Sequence, residues 1–273
     1  MSEEFLLRTF IFLFGLAVGS FLNVCIVRIP QGKSIVAPRS QCVRCQKMIP
    51  WYDNIPLLSY LLLRGRCRFC REKISFRYFI VEFLTAVLFL MFYLRFGMEA
   101  VLFPYLVMLC GLIISTFVDF EHRIIPDEIS LGGMAAGLVF SFILPSLHFV
   151  EPLVNQGFLT HLSSLGRSLL GVLVGGGSIY LLGLMGDFIF KKESMGGGDV
   201  KLMAMVGAFV GWKLVLLSFF IAPFFGAVYG IIEKIRTKES TIAYGPFLAL
   251  GTLISLFGGE IIISWILRGY GLQ

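Results

Sequence analysis

The chain has 273 residues, is 57% hydrophobic and has a mean hydropathy of +0.87. Soluble domains of that length are far less apolar, so the length is read as several membrane spans and one polar loop, not two soluble domains. The formal charge is +6, but the basic residues crowd beside apolar stretches. The excess is therefore read as topogenic charge, with no nucleic acid as partner.

Phe5 to Val27 is too long for a signal-peptide h-region. Ser2, Glu3 and Glu4 precede it in place of a basic n-region, and no small-residue cleavage site follows, so it is read as the first span. Further spans are expected at 78–96, 101–118, 128–146, 166–190, 200–213, 214–232 and 245–267. Only Gly211, Trp212 and Lys213 separate the sixth from the seventh. The expected fold is an all-α polytopic membrane protein of eight transmembrane helices with a cytoplasmic zinc-binding loop. Its divisions are 1–27 (first helix), 28–77 (cytoplasmic tetracysteine loop) and 78–273 (the membrane-embedded remainder).

The loop 28–77 carries eleven Lys and Arg against only Asp53 and Glu72. With this loop inside, 119–126, 191–201 and 233–240 are inside too. All of the 23 Lys and Arg except Arg8, Arg95, Arg167, Lys213 and Arg268 then fall on that side, as the positive-inside rule requires. The stretch 147–165, expected outside, has neither Lys nor Arg. Gly15 and Gly19, and Gly171, Gly175, Gly176 and Gly177, are spaced for close helix packing in lipid. The 28 Phe residues are read as lipid-facing or packing residues.

Cys25 and Cys110 lie in apolar stretches and are read as packing thiols. Cys42-Val-Arg-Cys45 and Cys67-Arg-Phe-Cys70 are two C-x2-C pairs in the polar loop. Each pair can bite one metal, and four thiolates complete a tetrahedral zinc shell with no place for water, which makes the zinc structural. An iron site or redox thiols are the other readings. A reducing cytoplasm argues against disulfides.

Carboxylates at membrane depth are costly and are functional candidates. Asp119 ends the third span, and Met195-Gly196-Gly197-Gly198-Asp199 opens the sixth. The glycines allow a close backbone approach or positive φ. Two aspartates brought together share a proton, activate a water and protonate a leaving amine. Helix dipoles and nearby Lys201 are expected to keep the charge on Asp199 and the shared proton on Asp119. Asp127, after Pro126, is read as a helix cap or site support. His122 is read as interfacial and Asp187 as an i,i+4 partner of Lys191. For Glu82 the simplest account is a local ion pair near Arg77, and the other is a methyl-donor or substrate contact. An ion- or proton-coupled transporter using Asp119 and Asp199 is the alternative reading of the two aspartates.

The chain resembles the type IV prepilin peptidases, the leader peptidase/N-methyltransferases of the GxGD type. The resemblance rests on Gly19-Ser20-Phe21-Leu22-Asn23-Val24, Arg28-Ile29-Pro30, Pro38-Arg39-Ser40 and the first cysteine pair. It continues through Asn54-Ile55-Pro56, Ser59-Tyr60, Arg64-Gly65, the second pair, Ile74-Ser75-Phe76-Arg77-Tyr78 and Glu82. It ends with 119–127 and the Gly-Gly-Gly-Asp run at 196–199. What it implies is an aspartic endopeptidase of the bacterial inner membrane with catalytic Asp119 and Asp199. Such an enzyme cuts the basic leader from type IV prepilins or pseudopilins at the cytoplasmic face. A tetracysteine loop is typical of members that also methylate the new N-terminus with S-adenosylmethionine. No nucleotide-binding glycine motif marks that donor's site here. The segment near 145–166 is longer than the family pattern and falls outside the membrane.

Overall fold

The computed structural model describes residues 3–148, 157–191, 195–237 and 242–269, and all its regular elements are helical apart from isolated bridges. Part of the long 145–166 segment thus lies outside the described residues. The chain divides into two compact units, Met1–Leu102 and Phe103–Gln273.

The first unit pairs two long helices, α1 (Glu3–Arg28) and α3 (Phe76–Phe96). Glu3 and Glu4 open α1 and Arg28 closes it, each charge complementing the helix dipole. The expected glycine pair forms the seam. A Cβ on Gly15 would come within 2.7 Å of Ala86 Cα, and one on Gly19 within 2.8 Å of Glu82 Cα. In lipid, where burial of apolar surface drives little, such close approach is what dispersion needs. Beyond α1 the chain turns at Pro30 and Gly32, the latter at φ 62. The Arg28 guanidinium ties the turn back by donating to the carbonyls of Ser34 (3.0 Å) and Pro38 (2.7 Å). A short helix, α2 (Leu58–Leu62), lies within the loop. Ser75 accepts from the Arg77 amide to cap α3.

The second unit holds α4 (Leu102–His122), α5 (Asp127–Ile143), α6 (Gly157–Phe190), α7 (Gly197–Thr237) and α8 (Gly245–Gly269). Glycines again set the approach. A Cβ on Gly171 of α6 would strike the Gly207 carbonyl of α7, and one on Gly207 would strike that of Gly171. Gly175 meets the Met203 carbonyl in the same way, whereas a Cβ on Gly177 would meet nothing within 4 Å. A Cβ on Gly251 of α8 would lie 2.7 Å from the Ser218 carbonyl.

Among the described residues, six helices are long and apolar enough to cross a membrane. The lengths alone therefore do not give eight: α5 has 17 residues, and α7 runs 41 residues through a non-helical residue, Gly211 at φ 76, ψ 174. That residue stands where the sequence places its break. One turn before it the Ala208 carbonyl accepts the Ser168 hydroxyl at 2.7 Å and a bond from His148. Burial keeps His148 neutral, its pKa pushed down to about 4. Between α4 and α5, Arg123 at φ 56 follows the end of one helix and Pro126 occupies the cap of the next.

Candidate active site and cysteine cluster

Four segments of the second unit converge at Asp119. The aspartate stands in the last turn of α4 with 6% exposure. Its Oδ2 accepts the Gly245 amide, the first of α8, at 2.9 Å. A Cβ on Gly245 would sit 2.9 Å from that oxygen and 3.2 Å from Ile125 Cδ1, so this approach is open only to glycine. Asp199, half-buried in the first turn of α7, interacts electrostatically with Asp119 and with Tyr244. Arg123 does so with Asp119. The Asp199 amide donates to the Gly196 carbonyl at 3.1 Å.

The three glycines before Asp199 act through space, not through unusual torsion. None of them has positive φ. A Cβ on Gly198 would press on Ile125 Cβ at 3.1 Å, while Gly197 has nothing within 4 Å and is exposed. The backbone there is thus open to an approaching chain.

Two expectations need correction. Lys201 does not stand on Asp199: its ammonium holds the Asp127 carboxylate at 2.7 and 2.9 Å. The reason is reach, since Asp127 opens α5 directly opposite the first turn of α7. Asp127 itself is the first helical residue, Pro126 occupies the cap, and no side-chain cap bond forms. It joins α5 to α7 instead. The sequence reading missed Tyr244 and Gly245 altogether. The signal available for them was Gly-Pro at the opening of the last span.

In the first unit the four cysteine sulfurs lie within 4.8 Å of one another. Cys42 Sγ and Cys70 Sγ are 3.7 Å apart, close to the ~3.8 Å edge of a tetrahedron with ~2.3 Å zinc–sulfur arms. The cluster can hold a metal ion. Both halves are built alike. Cys42 accepts the Gln46 amide at 2.9 Å and Cys67 the Arg71 amide at 3.0 Å through their carbonyls, with Gln46 at φ 55 and Arg71 at φ 59. Arg44 reaches from one half to Glu72 of the other at 2.8 Å. The Cys70 backbone amide is the main cause that brings the Cys67 thiol down to about 7, against burial. Arg68 grips Asp53 with two bonds of 2.5 and 2.6 Å and holds its carboxyl below the ordinary carboxylate range.

Glu82 has a long-range partner that no sequence window shows. Buried at 8% exposure, it accepts the Leu57 amide at 2.8 Å and is bonded by the Ser20 hydroxyl. One turn away Asn23 donates to the Tyr78 carbonyl at 3.0 Å, while its own Oδ1 is buried without a partner.

Comparison with known proteins gives the same division of the chain. Residues 13–96 match the family described as Bacterial Peptidase A24 N-terminal domain, and residues 106–231 the Type IV leader peptidase family. A Prepilin leader peptidase/N-methyltransferase of Myxococcus xanthus is 41% identical over 235 residues, covering 86% of this chain and 65% of that protein. The chain thus spans about two thirds of that relative's length. The Type 4 prepilin-like proteins leader peptide-processing enzyme of Escherichia coli is 36% identical, covering 89% of this chain and 91% of that protein. A Prepilin leader peptidase/N-methyltransferase of Bacillus subtilis is 32% identical, with 94% and 97% covered. No solved structure matches. By the family matches and by relatives aligned over nearly their whole length, the chain belongs to the type IV leader peptidase family.

Proposed function

We propose that this protein removes the basic leader from type IV prepilins or pseudopilins by aspartic-protease chemistry, and methylates the new N-terminal amine. The observation that carries the peptidase reading is the meeting of Asp119 and Asp199 with the Gly245 amide on Asp119. Each carboxylate takes a backbone amide, Gly245 on Asp119 and Gly196 on Asp199, but Arg123 stands near Asp119 while Lys201 holds Asp127, which favours charge on Asp119. This reverses the assignment made from helix dipoles. Ionised Asp119 takes a proton from water as the water's oxygen attacks the scissile carbonyl, and Asp199 gives its proton to the carbonyl oxygen. The proton on Asp119 then passes to the leaving amine as the C–N bond breaks, and Asp199 recovers its proton from a hydroxyl of the diol as the carbonyl re-forms. Infrared carboxyl bands in single Asp→Asn variants test the assignment, and a protonated Asp119 beside ionised Asp199 overturns it.

Eight crossings, with α5 and both halves of α7 each counted as one, put the cysteine loop and the aspartates on the cytoplasmic side of a bacterial inner membrane. The distribution of Lys and Arg supports this orientation. A basic leader stays on that face for the same reason, which brings the cleavage point to the aspartates. Zinc on Cys42, Cys45, Cys67 and Cys70 would fix the loop. Gly196, Gly197, Gly198, Lys201 and Asp127 support the peptidase site by spacing and by joining α5 to α7.

S-adenosylmethionine would supply an electrophilic methyl group. The unpartnered Asn23 oxygen, buried one turn from Ser20, suits a donor-rich ligand such as this. An ion-coupled transporter leaves the cysteine cluster without a purpose. The deciding experiment incubates detergent-purified protein with a prepilin and labelled S-adenosylmethionine. Wild type should cleave and methylate, Asp119→Ala and Asp199→Ala should not cleave, and cleavage by either variant rejects the assignment.

A further inference from the structure

The segments Gly19–Asn23 and Asn54–Leu57 take no part in aspartate chemistry, yet in the first unit they meet at one carboxylate. Glu82 lies on α3 where Gly19 lets α1 come close. Its Oε2 takes the Leu57 amide at 2.8 Å. Leu57 is held at φ 57, ψ −48, a conformation that L residues avoid and that persists only where the surroundings enforce it. It leads straight into α2. There Tyr60 lies over Gly65, whose Cβ, if present, would be 2.8 Å from the Tyr60 hydroxyl oxygen. The same ring packs on Phe79 of α3, with centroids 5.7 Å apart, and the Gly65 amide donates to the Tyr60 carbonyl at 2.8 Å. Two residues beyond Gly65 is Cys67. A continuous run of contacts therefore joins Glu82, deep in the helix pair, to a cysteine of the cluster.

We propose that Glu82 is a positioning residue: its hydrogen bond to the Leu57 amide latches the cysteine loop onto the α1–α3 pair in the form that methyl transfer requires. The methyl-transfer half of this statement rests on the proposed function; the latch itself does not. A carboxylate that held a ligand by charge would need its charge, whereas a latch needs only an acceptor oxygen. Glu82→Gln keeps that oxygen. Glu82→Met keeps the volume and removes it, leaving a part-buried N–H unpaired.

The full-length, zinc-loaded protein in detergent is compared in three forms: wild type, Glu82→Gln and Glu82→Met. The readouts are trypsin cutting within 28–77, methyl transfer from labelled S-adenosylmethionine to a cleaved pilin, and leader cleavage. The Met variant should be cut about tenfold faster and lose methyl transfer about tenfold, the scale of one unpaired donor. Its leader cleavage should stay unchanged, and the Gln variant should match wild type throughout. A Met variant cut no faster overturns the latch. So does a Gln variant that loosens as far as the Met variant, because charge would then be the operative property. Wild type that resists trypsin but transfers no methyl group overturns the methyltransferase reading, while the cutting rates still decide the latch. Should the Met variant not accumulate, Glu82→Gln still decides: cutting at the wild-type rate supports the latch, and faster cutting overturns it.

Discussion

The two units are held together by different physics. In the first, a polar loop depends on a few directional links: four sulfurs in one cluster, the Arg68–Asp53 fork, the Arg28 ties and the Glu82–Leu57 bond. In the second, helix backbones touch through glycine, and the key carboxylate is set by a main-chain amide. Directional links can be cut one at a time, each removing one property. Packed backbones have no such slack, and a single methyl group displaces the site.

The strongest way to break this contrast is to exchange the aspartates. Asp119→Asn and Asp199→Asn should each lower leader cleavage about 10³-fold or more, as loss of an acid or base does. Zinc content and methyl transfer to an already cleaved pilin should persist. If metal is lost as well, the two units are not independent. Next is Gly245→Ala, which puts a Cβ 2.9 Å from Asp119 Oδ2. A displacement of that kind costs on the order of 10²-fold in cleavage. Activity near wild type would show that the Gly245 amide does not set the geometry.

In the other unit, Cys67→Ser should reduce bound zinc from one equivalent to none and methyl transfer by about tenfold or more. Cleavage by the aspartates should hardly change. Metal analysis beside both assays checks this, and retained zinc would reject the four-cysteine shell. A smaller effect is expected from Lys201→Met. Lys201 is 40% exposed and Asp127 56%, so their ion pair contributes at most about 1 kcal/mol. A thermal unfolding scan should show a minor shift, and cleavage should fall less than about fivefold by the same measure. A much greater loss would return Lys201 to the aspartates themselves.

The smallest effect concerns pH. Because Arg68 depresses the Asp53 pKa, the fork's stabilisation is fully present above the unfolded carboxyl's pKa. It is lost as pH falls through the lowered folded value. Trp51 packs edge-on to Tyr52, over which Arg68 lies. Its fluorescence, with Trp212 and Trp265 replaced by Phe, should therefore change on acidification. Asp53→Asn should show the changed signal already at neutral pH, and an unaltered acid transition in that variant assigns it elsewhere.

Much of this architecture was legible before any fold was seen. Hydropathy and length marked the long helices, because a membrane demands apolar runs of a set length. The C-x2-C spacing brought out the cluster, since a metal's bite is local in sequence. Gly15, Gly19, Gly171 and Gly175 were legible as packing residues, and each does meet a neighbouring helix. What stayed hidden were partners distant in sequence. Gly245 lies 126 positions from Asp119 and Leu57 25 from Glu82, and in each pair one partner contributes only a backbone amide, which every residue but proline possesses. The proximity of Lys201 to Asp199 in sequence misled for the same reason: on a helix terminus, the nearest charge along the chain is not the nearest in space.

The sequence by itself determined a polytopic helical membrane protein, its orientation signal, its cysteine cluster and its two exceptional aspartates. Those features depend on composition and spacing, which the chain carries locally. Only the tertiary structure decided which groups meet them: an α8 amide on Asp119, Asp127 on Lys201, and the Leu57 amide on Glu82. Hydrogen bonds and ion pairs act over a few ångströms, so their partners are fixed by how helices cross, and that crossing was set by where glycine allowed two backbones to touch.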